Sequence, residues 1–145
     1  MVAAYMAENK RFNIRVYGIW LTKTHVLVNE ELIAGRRLIK FPGGGLHWGE
    51  GIADCLRREW KEELDLDIEI VRHFYTTDFF QASAFDASQV ISVYYLVSAD
   101  PSAPIINMVP GERTFWLPLT DVSSDTFTLP IDKLVGGMLQ TFHLK

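Results

Sequence analysis

Three glutamates, Glu59, Glu62 and Glu63, lie in the run Arg58-Glu59-Trp60-Lys61-Glu62-Glu63, shortly after the glycine-rich stretch Phe41-Pro42-Gly43-Gly44-Gly45. The segment Ile52 to Leu64 holds good helix formers and no proline or glycine. At about 100° per residue, a helix there puts Ala53, Leu56, Trp60 and Leu64 on an apolar stripe. Glu59, Glu62 and Glu63 fall on a neighbouring stripe, with Cys55 and Ile52 near its N-terminal end, while Asp54, Arg57 and Lys61 turn to solvent. Glu59 and Glu63 are vertical neighbours, and like charges at that spacing destabilise a helix by about 0.2–0.5 kcal/mol. Beside an apolar stripe, water screens the repulsion less. A divalent cation relieves it, since carboxylate oxygens suit Mg²⁺ or Mn²⁺. Arg58, one turn before Glu62, is another way to hold a carboxylate. The plainest alternative is a solvated helix face. The glycine stretch weighs against it: Gly43, Gly44 and Gly45 permit φ > 0 and let a ligand touch the backbone. A turn of this kind ahead of a helix can present N–H groups to phosphate or carbonyls to a metal.

These residues resemble a known family. The pattern G-x5-E-x7-R-E-U-x-E-E-x-G-U, with U bulky and apolar, is the signature of Nudix hydrolases, and Gly44, Glu50, Arg58, Glu59, Trp60, Glu62, Glu63 and Leu66 fall on it in register. Each Gly, Glu or Arg would occupy a given position at about 5–7% by chance, so an accidental match is improbable. Asp65 stands where the family has glycine, and His47 where many members have glutamate. The resemblance implies an α/β fold, an α/β/α sandwich with a mixed β-sheet, that hydrolyses a nucleoside diphosphate linked to another group X. It also implies Mg²⁺ or Mn²⁺ as cofactor. Carried over position by position, Glu59 and Glu63 are expected as metal ligands, with Glu62 a ligand directly or through water and the Gly43 carbonyl a further one. Arg58 would orient the glutamates, and Glu50 would brace the loop against the helix. The general base is expected from Glu62 or from a later loop.

Many members add a carboxylate from a loop well after this box, and Glu112 is the candidate. Arg36, Arg37 and Lys40, just ahead of the glycines, are candidate phosphate contacts together with Gly44 and Gly45; the alternative for each charge is an ordinary surface role. Phe79, Phe80 and Phe85 could stack on a ring, although such aromatics more often serve a core or an interface. His25, His73 and His143 have no ligand spacing. Cys55 reads as a packing residue.

Around this stretch, Asn13–Leu21 and Thr24–Asn29 read as a β-hairpin with a two-residue break. Glu30–Arg37 reads as loop and Leu38–Phe41 as a short strand. Asp67–Tyr75, Gln89–Ser98 and Thr114–Leu117 read as further strands, Thr76–Ser88 and Ala99–Gly111 as loops. A last helix is expected over Ile131–Gln140, weakened by Gly136-Gly137. Met1–Lys10 reads as a frayed arm or a short first strand. Strands on either side of one strong helix, with a second helix at the end, imply one domain, a mixed sheet covered by helices.

The chain has 145 residues, 48% apolar and 22% charged, with a formal net charge of −4. That charge gives no general attraction to nucleic acid, so phosphate binding must be local. One cysteine excludes an intrachain disulfide and a multi-cysteine zinc site. The N-terminal stretch lacks the apolar run of a secretory signal, and no window has the apolar length of a membrane span, so a cytoplasmic location is expected. The partner expected is a small nucleotide-type molecule, with a homodimer compatible with the family. A Nudix-fold domain that senses a nucleotide without cleaving it is the competing function, and the full set of box glutamates speaks against it.

Overall fold

The computed structural model describes residues 10–142. All but Lys10 of the expected N-terminal arm, and His143, lie outside the described residues. The strands are Phe12–Trp20 (β1), His25–Ile33 (β2), Arg36–Lys40 (β3), Gly43–Gly45 (β4), Glu69–Thr76 (β5), Gln89–Ser98 (β6) and Glu112–Pro118 (β7). The helices are Ile52–Leu64 (α1) and Pro130–Phe142 (α2). A mixed sheet has the order β4-β1-β6-β5, with β1 and β6 parallel; β3-β2-β7 form a second, antiparallel sheet.

Strand alternation sends side chains to two opposite faces. Val16 and Trp20 of β1 and Leu27 of β2 pack on Cys55, Leu56, Trp60 and Leu64 of α1. Tyr17 and Ile19, with Val26 and Val28, face the other way, onto Ile131, Val135 and Leu139 of α2. Two cores on two faces, each closed by a helix, make the expected α/β/α sandwich. The α1 core is tied down at its centre by Trp60, fully buried, whose indole N–H donates to the Pro42 carbonyl at 3.1 Å. No described helix is long and apolar enough to cross a membrane.

The expected bounds of α1 and of Gln89–Ser98 match the structure, whereas three other expectations need correction. The first two strands do not pair as a hairpin: β1 and β2 belong to different sheets, and Leu21, just past β1, makes one isolated bridge to Val26. The Thr22 hydroxyl accepts the backbone N–H groups of His25 at 2.9 Å and Thr24 at 3.3 Å, a local turn that redirects the chain. Glu30–Arg37 is no loop. It is the end of β2, a two-residue turn at Ala34 and Gly35, with φ of 51° and 76°, and the start of β3. Two positive φ values in a row suit the twist of a tight hairpin. The glycines Gly43–Gly45 are not a free turn but an edge strand, paired antiparallel to β1 with Tyr17 opposite Gly43 and Arg15 opposite Gly45.

The double glycine of α2 also has a reason. A Cβ on Gly136 would lie 2.6 Å from the Phe127 ring and 2.8 Å from the Ser123 carbonyl, so close approach of the preceding turn requires glycine there.

Candidate active site

Helix α1 stands with its first turns over β4, and Arg58 knots the two together. Its Nε and Nη2 donate to the two Glu50 oxygens at 2.9 and 2.7 Å, and Nη2 also donates to the Gly45 carbonyl at 3.0 Å. Its Nη1 reaches Glu59 at 3.0 Å and Glu62 at 3.2 Å. Glu50 accepts in addition the His47 N–H at 2.8 Å. The Arg58 guanidinium first, and this backbone bond second, hold the Glu50 carboxyl down at about 2. Glu50 therefore braces the loop against the helix. The oddity at Asp65 is absorbed locally: it ends α1 in the left-handed conformation (φ 53°, ψ 39°), which Asp tolerates better than most residues.

The three glutamates differ in surroundings. The Glu59 side chain is buried and that of Glu62 is 57% exposed. A Cβ on Gly44 would lie 2.5 Å from the Glu59 carboxyl carbon, so the carboxylate rests on the bare backbone of β4. Gly43, with φ of 153°, has no room either: a Cβ there would meet the Val16 carbonyl at 2.1 Å.

Glu63 is the unsatisfied member. Its Oε2 is buried and without a hydrogen-bond partner. Burial first, then the charges of Glu112 and Glu59, push its carboxyl up to about 8 against the pull of Lys40. Glu112 reaches this neighbourhood because the loop before β7 lies along the end of α1, where Met108 N–H donates to the Glu63 carbonyl at 2.9 Å and Ile106 N–H to that of Leu64 at 3.3 Å. Burial, and then the Glu31 carboxyl opposite it on β2, raise Glu112 as well.

A buried carboxylate oxygen with no donor, among further carboxylates and no thiolate or imidazole, suits a hard divalent cation. As they stand, no three described His, Cys, Asp or Glu side chains are already gathered into a ligand set. Glu59 and Glu62 are instead drawn onto Arg58. Side-chain rotation would be needed to bring them round an ion with Glu63.

The basic candidates separate. Lys40 is buried and pairs with Glu31 at 2.7 Å. Arg37 is exposed and paired with Glu30, which also takes Arg113 at 2.7 Å. Arg36 is exposed beside the hairpin turn. Of the aromatic candidates all three are exposed, and Phe85 lines the cleft described next whereas Phe79 and Phe80 do not. Burial, then the Glu50 carboxylate, pushes the Cys55 thiol up to about 12, which leaves it a packing residue.

A cleft of about 250 Å³ opens between the two sheets beside this acidic cluster. Its polar lining includes residues that sequence reasoning did not single out: Arg15, Tyr17, Glu31, Tyr94 and Asp132. The Tyr94 hydroxyl donates to Asp132 Oδ1 at 2.5 Å, and burial pushes the Asp132 carboxyl up to about 6. The available signals were a charge inside the apolar run Asn13–Leu21 and a lone acid in the apolar start of α2. Neither has a spacing that points to the box.

Comparison with known proteins agrees with this geometry. The NUDIX domain family matches residues 10–135. A structure from work on MutT of Aliivibrio salmonicida and Vibrio cholerae is similar at 19% identity, covering 91% of this chain and 99% of that one, with a TM-score of 0.68. A MutT NUDIX hydrolase from Burkholderia pseudomallei is similar at 16% identity, covering 89% and 98%, with a TM-score of 0.70. A NUDIX hydrolase from Nitrosomonas europaea is similar at 18% identity, covering 87% and 88%, with a TM-score of 0.64. At these identities the structural likeness speaks for the fold, and the match over residues 10–135 speaks for the lineage: the chain belongs to the Nudix hydrolase family.

Proposed function

We propose that this protein hydrolyses the phosphoanhydride bond of a nucleoside diphosphate linked to a further group X, a nucleotide or nucleotide-sugar, with Mg²⁺ or Mn²⁺. The observation that carries the reading is the orphaned, buried Glu63 oxygen, whose carboxyl feels the charges of Glu112 and Glu59. Glu59, Glu62 and Glu63 would hold the metal, with Glu112 and the Gly43 carbonyl as further ligands. The chemistry supplied by the bound metal is neutralisation of charge on the diphosphate oxygens and a lowered pKa for water.

The chain's own residues do the rest. Arg58 keeps Glu59 and Glu62 oriented while Glu50 anchors Arg58. Gly44 gives Glu59 its place against β4. Glu62, the exposed member, is open to an attacking water and is the first choice for proton acceptor, with Glu112 the second. Glycines Gly44 and Gly45 let the diphosphate approach the backbone, and the cleft takes the group beyond it. Lys40, paired with Glu31, is a wall of the cleft rather than a free phosphate contact. The protein is proposed to act in the cytoplasm as one domain, alone or as a homodimer.

The test is a panel of nucleoside triphosphates, nucleotide sugars, dinucleoside polyphosphates and ADP-ribose with Mg²⁺ or Mn²⁺, scored for released phosphate products. Turnover by the wild type and its loss in Glu63→Gln are expected. No turnover of any member, or equal turnover by Glu63→Gln, ends the reading.

A further inference from the structure

Arg15 lies where the cleft meets the acidic cluster. It projects from β1 opposite Gly45, and a Cβ built on that glycine would be 3.5 Å from Arg15 Nη1. The Gly45 carbonyl meanwhile takes Arg58 Nη2 at 3.0 Å. The two arginines thus reach the same edge-strand glycine, one from β1 and one from α1. Arg15 is close enough to Glu59 and Glu31 to feel their charge, yet it forms an ion pair with neither.

A guanidinium carries five N–H donors in a rigid fork. Arg15 commits one: Nε donates to the Tyr17 hydroxyl at 2.7 Å. That bond fixes the plane of the group and leaves both terminal nitrogens without a hydrogen-bond partner among the described residues. The other cation lining the cleft, Lys40, is already paired with Glu31. A half-buried cation held in place with both terminal nitrogens unused suits a bidentate oxyanion, and phosphate oxygens match that pair of donors. A neutral ring edge would also accept from it. The position of Arg15 opposite Gly45, next to the Gly44 against which the Glu59 carboxylate rests, favours phosphate.

We propose that Arg15 is a substrate-binding residue whose free guanidinium edge takes oxygens of the phosphate on the cleft side of the anhydride, joining the group in the cleft to the acidic site. The placement of the anhydride rests on the hydrolase reading above; the binding of a phosphate by Arg15 does not.

The test uses the metal-free protein in EDTA, titrated calorimetrically with inorganic pyrophosphate and with methylenediphosphonate. Arg15→Gln should weaken both by about tenfold, the loss expected for one charge-assisted contact. Arg15→Lys, which keeps the charge without the fork, should fall between, and Arg57→Gln, on the outer face of α1, should match the wild type. With any substrate found in the panel, Arg15→Gln should raise KM more than it lowers kcat. A measurement on ¹⁵N-labelled wild type needs no variant: the Arg15 Nε resonance should move on addition of pyrophosphate. Undiminished anion binding by Arg15→Gln, an unmoved Nε resonance, or a wild type that binds neither probe overturns the proposal. A wild type that binds pyrophosphate through Arg15 but turns over nothing in the panel would sink the hydrolase reading alone.

Discussion

The Glu59 carboxylate and the α-carbon of Gly44 occupy adjoining space so fully that a methyl group on Gly44 would lie 2.5 Å from the carboxyl carbon. An edge strand made of glycine is thus part of how a helix carboxylate is positioned. Gly44→Ala should move Glu59 and lower hydrolysis by about 10²-fold, the cost of an ångström-scale misplacement at a reacting centre. It should also shrink the rise in melting temperature expected of the wild type on addition of Mg²⁺ or Mn²⁺. Activity and metal-dependent melting measured on one preparation check this, and a variant indistinguishable from wild type in both would place Glu59 outside the site.

Arg58 serves five oxygen acceptors on four residues, both oxygens of Glu50, Glu59, Glu62 and the Gly45 carbonyl, and a sulfur acceptor, Cys55 Sγ, at 3.8 Å. A lysine ammonium in its place is a point donor that cannot span that fork. Arg58→Lys should therefore lose activity by about 10²-fold despite conserving charge. Glu50, released from the guanidinium that holds it low, should titrate higher. The Glu50 carboxyl carbon followed by NMR against pH reads this directly, and an unchanged titration would mean that the His47 N–H alone sets it.

What the sequence made legible was whatever lies close together along the chain. Helix α1 carries its own periodicity, and the box glutamates, Arg58 and Glu50 all sit on it or within one loop of it. The β2–β3 hairpin is hidden in the sequence because Glu30, Glu31, Arg36 and Arg37 have the composition of a loop. In the structure Glu30 pairs with Arg37 and Arg113, and Glu31 with Lys40, so most of these charges bind strand to strand. Gly43–Gly45 looked like a turn because nothing in the sequence says that Glu59 will lie against Gly44. Arg15, Glu31 and Asp132 come from β1, β2 and α2, and only the packing of two sheets brings them to one cleft. Their spacing along the chain carries no trace of that meeting.

Helix α2 offers a paired test of packing against propensity. Alanine is normally better than glycine inside a helix by about 0.5–1 kcal/mol. Gly137 has only the Ser124 Cβ near, at 3.9 Å, so Gly137→Ala should stabilise by about that amount. Gly136→Ala must push aside the Phe127 ring, 2.6 Å away, and the Ser123 carbonyl, 2.8 Å away. Overpacking of this kind costs about 1–3 kcal/mol, so the sign should reverse. Urea denaturation of the two variants decides it, and stabilisation by both would mean that Phe127 does not sit against α2 as described.

Asp132 gives a pH dependence of known sign. Its carboxyl is buried in the first turn of α2, accepts the Tyr94 hydroxyl, and is pushed up to about 6 by desolvation, with Tyr94, Lys40 and Arg15 pulling the other way. In the unfolded chain an aspartate titrates near ~3.9. Between these two values the folded protein keeps a proton that the unfolded chain has released. The stability this confers is fully present below about pH 4 and is lost as pH rises through about 6. Asp132→Asn keeps an acceptor for Tyr94 and has no such transition. Carboxylates held low, Glu50 among them, impose the opposite slope on both proteins and cancel in the difference. Relative to Asp132→Asn, the wild type should therefore lose at least ~3 °C of melting temperature between about pH 4 and pH 7, the shift that about 1 kcal/mol makes in a domain of this size. Melting curves of the two proteins in EDTA across that range measure it. Parallel curves would mean that Asp132 is as readily ionised in the folded cleft as in water.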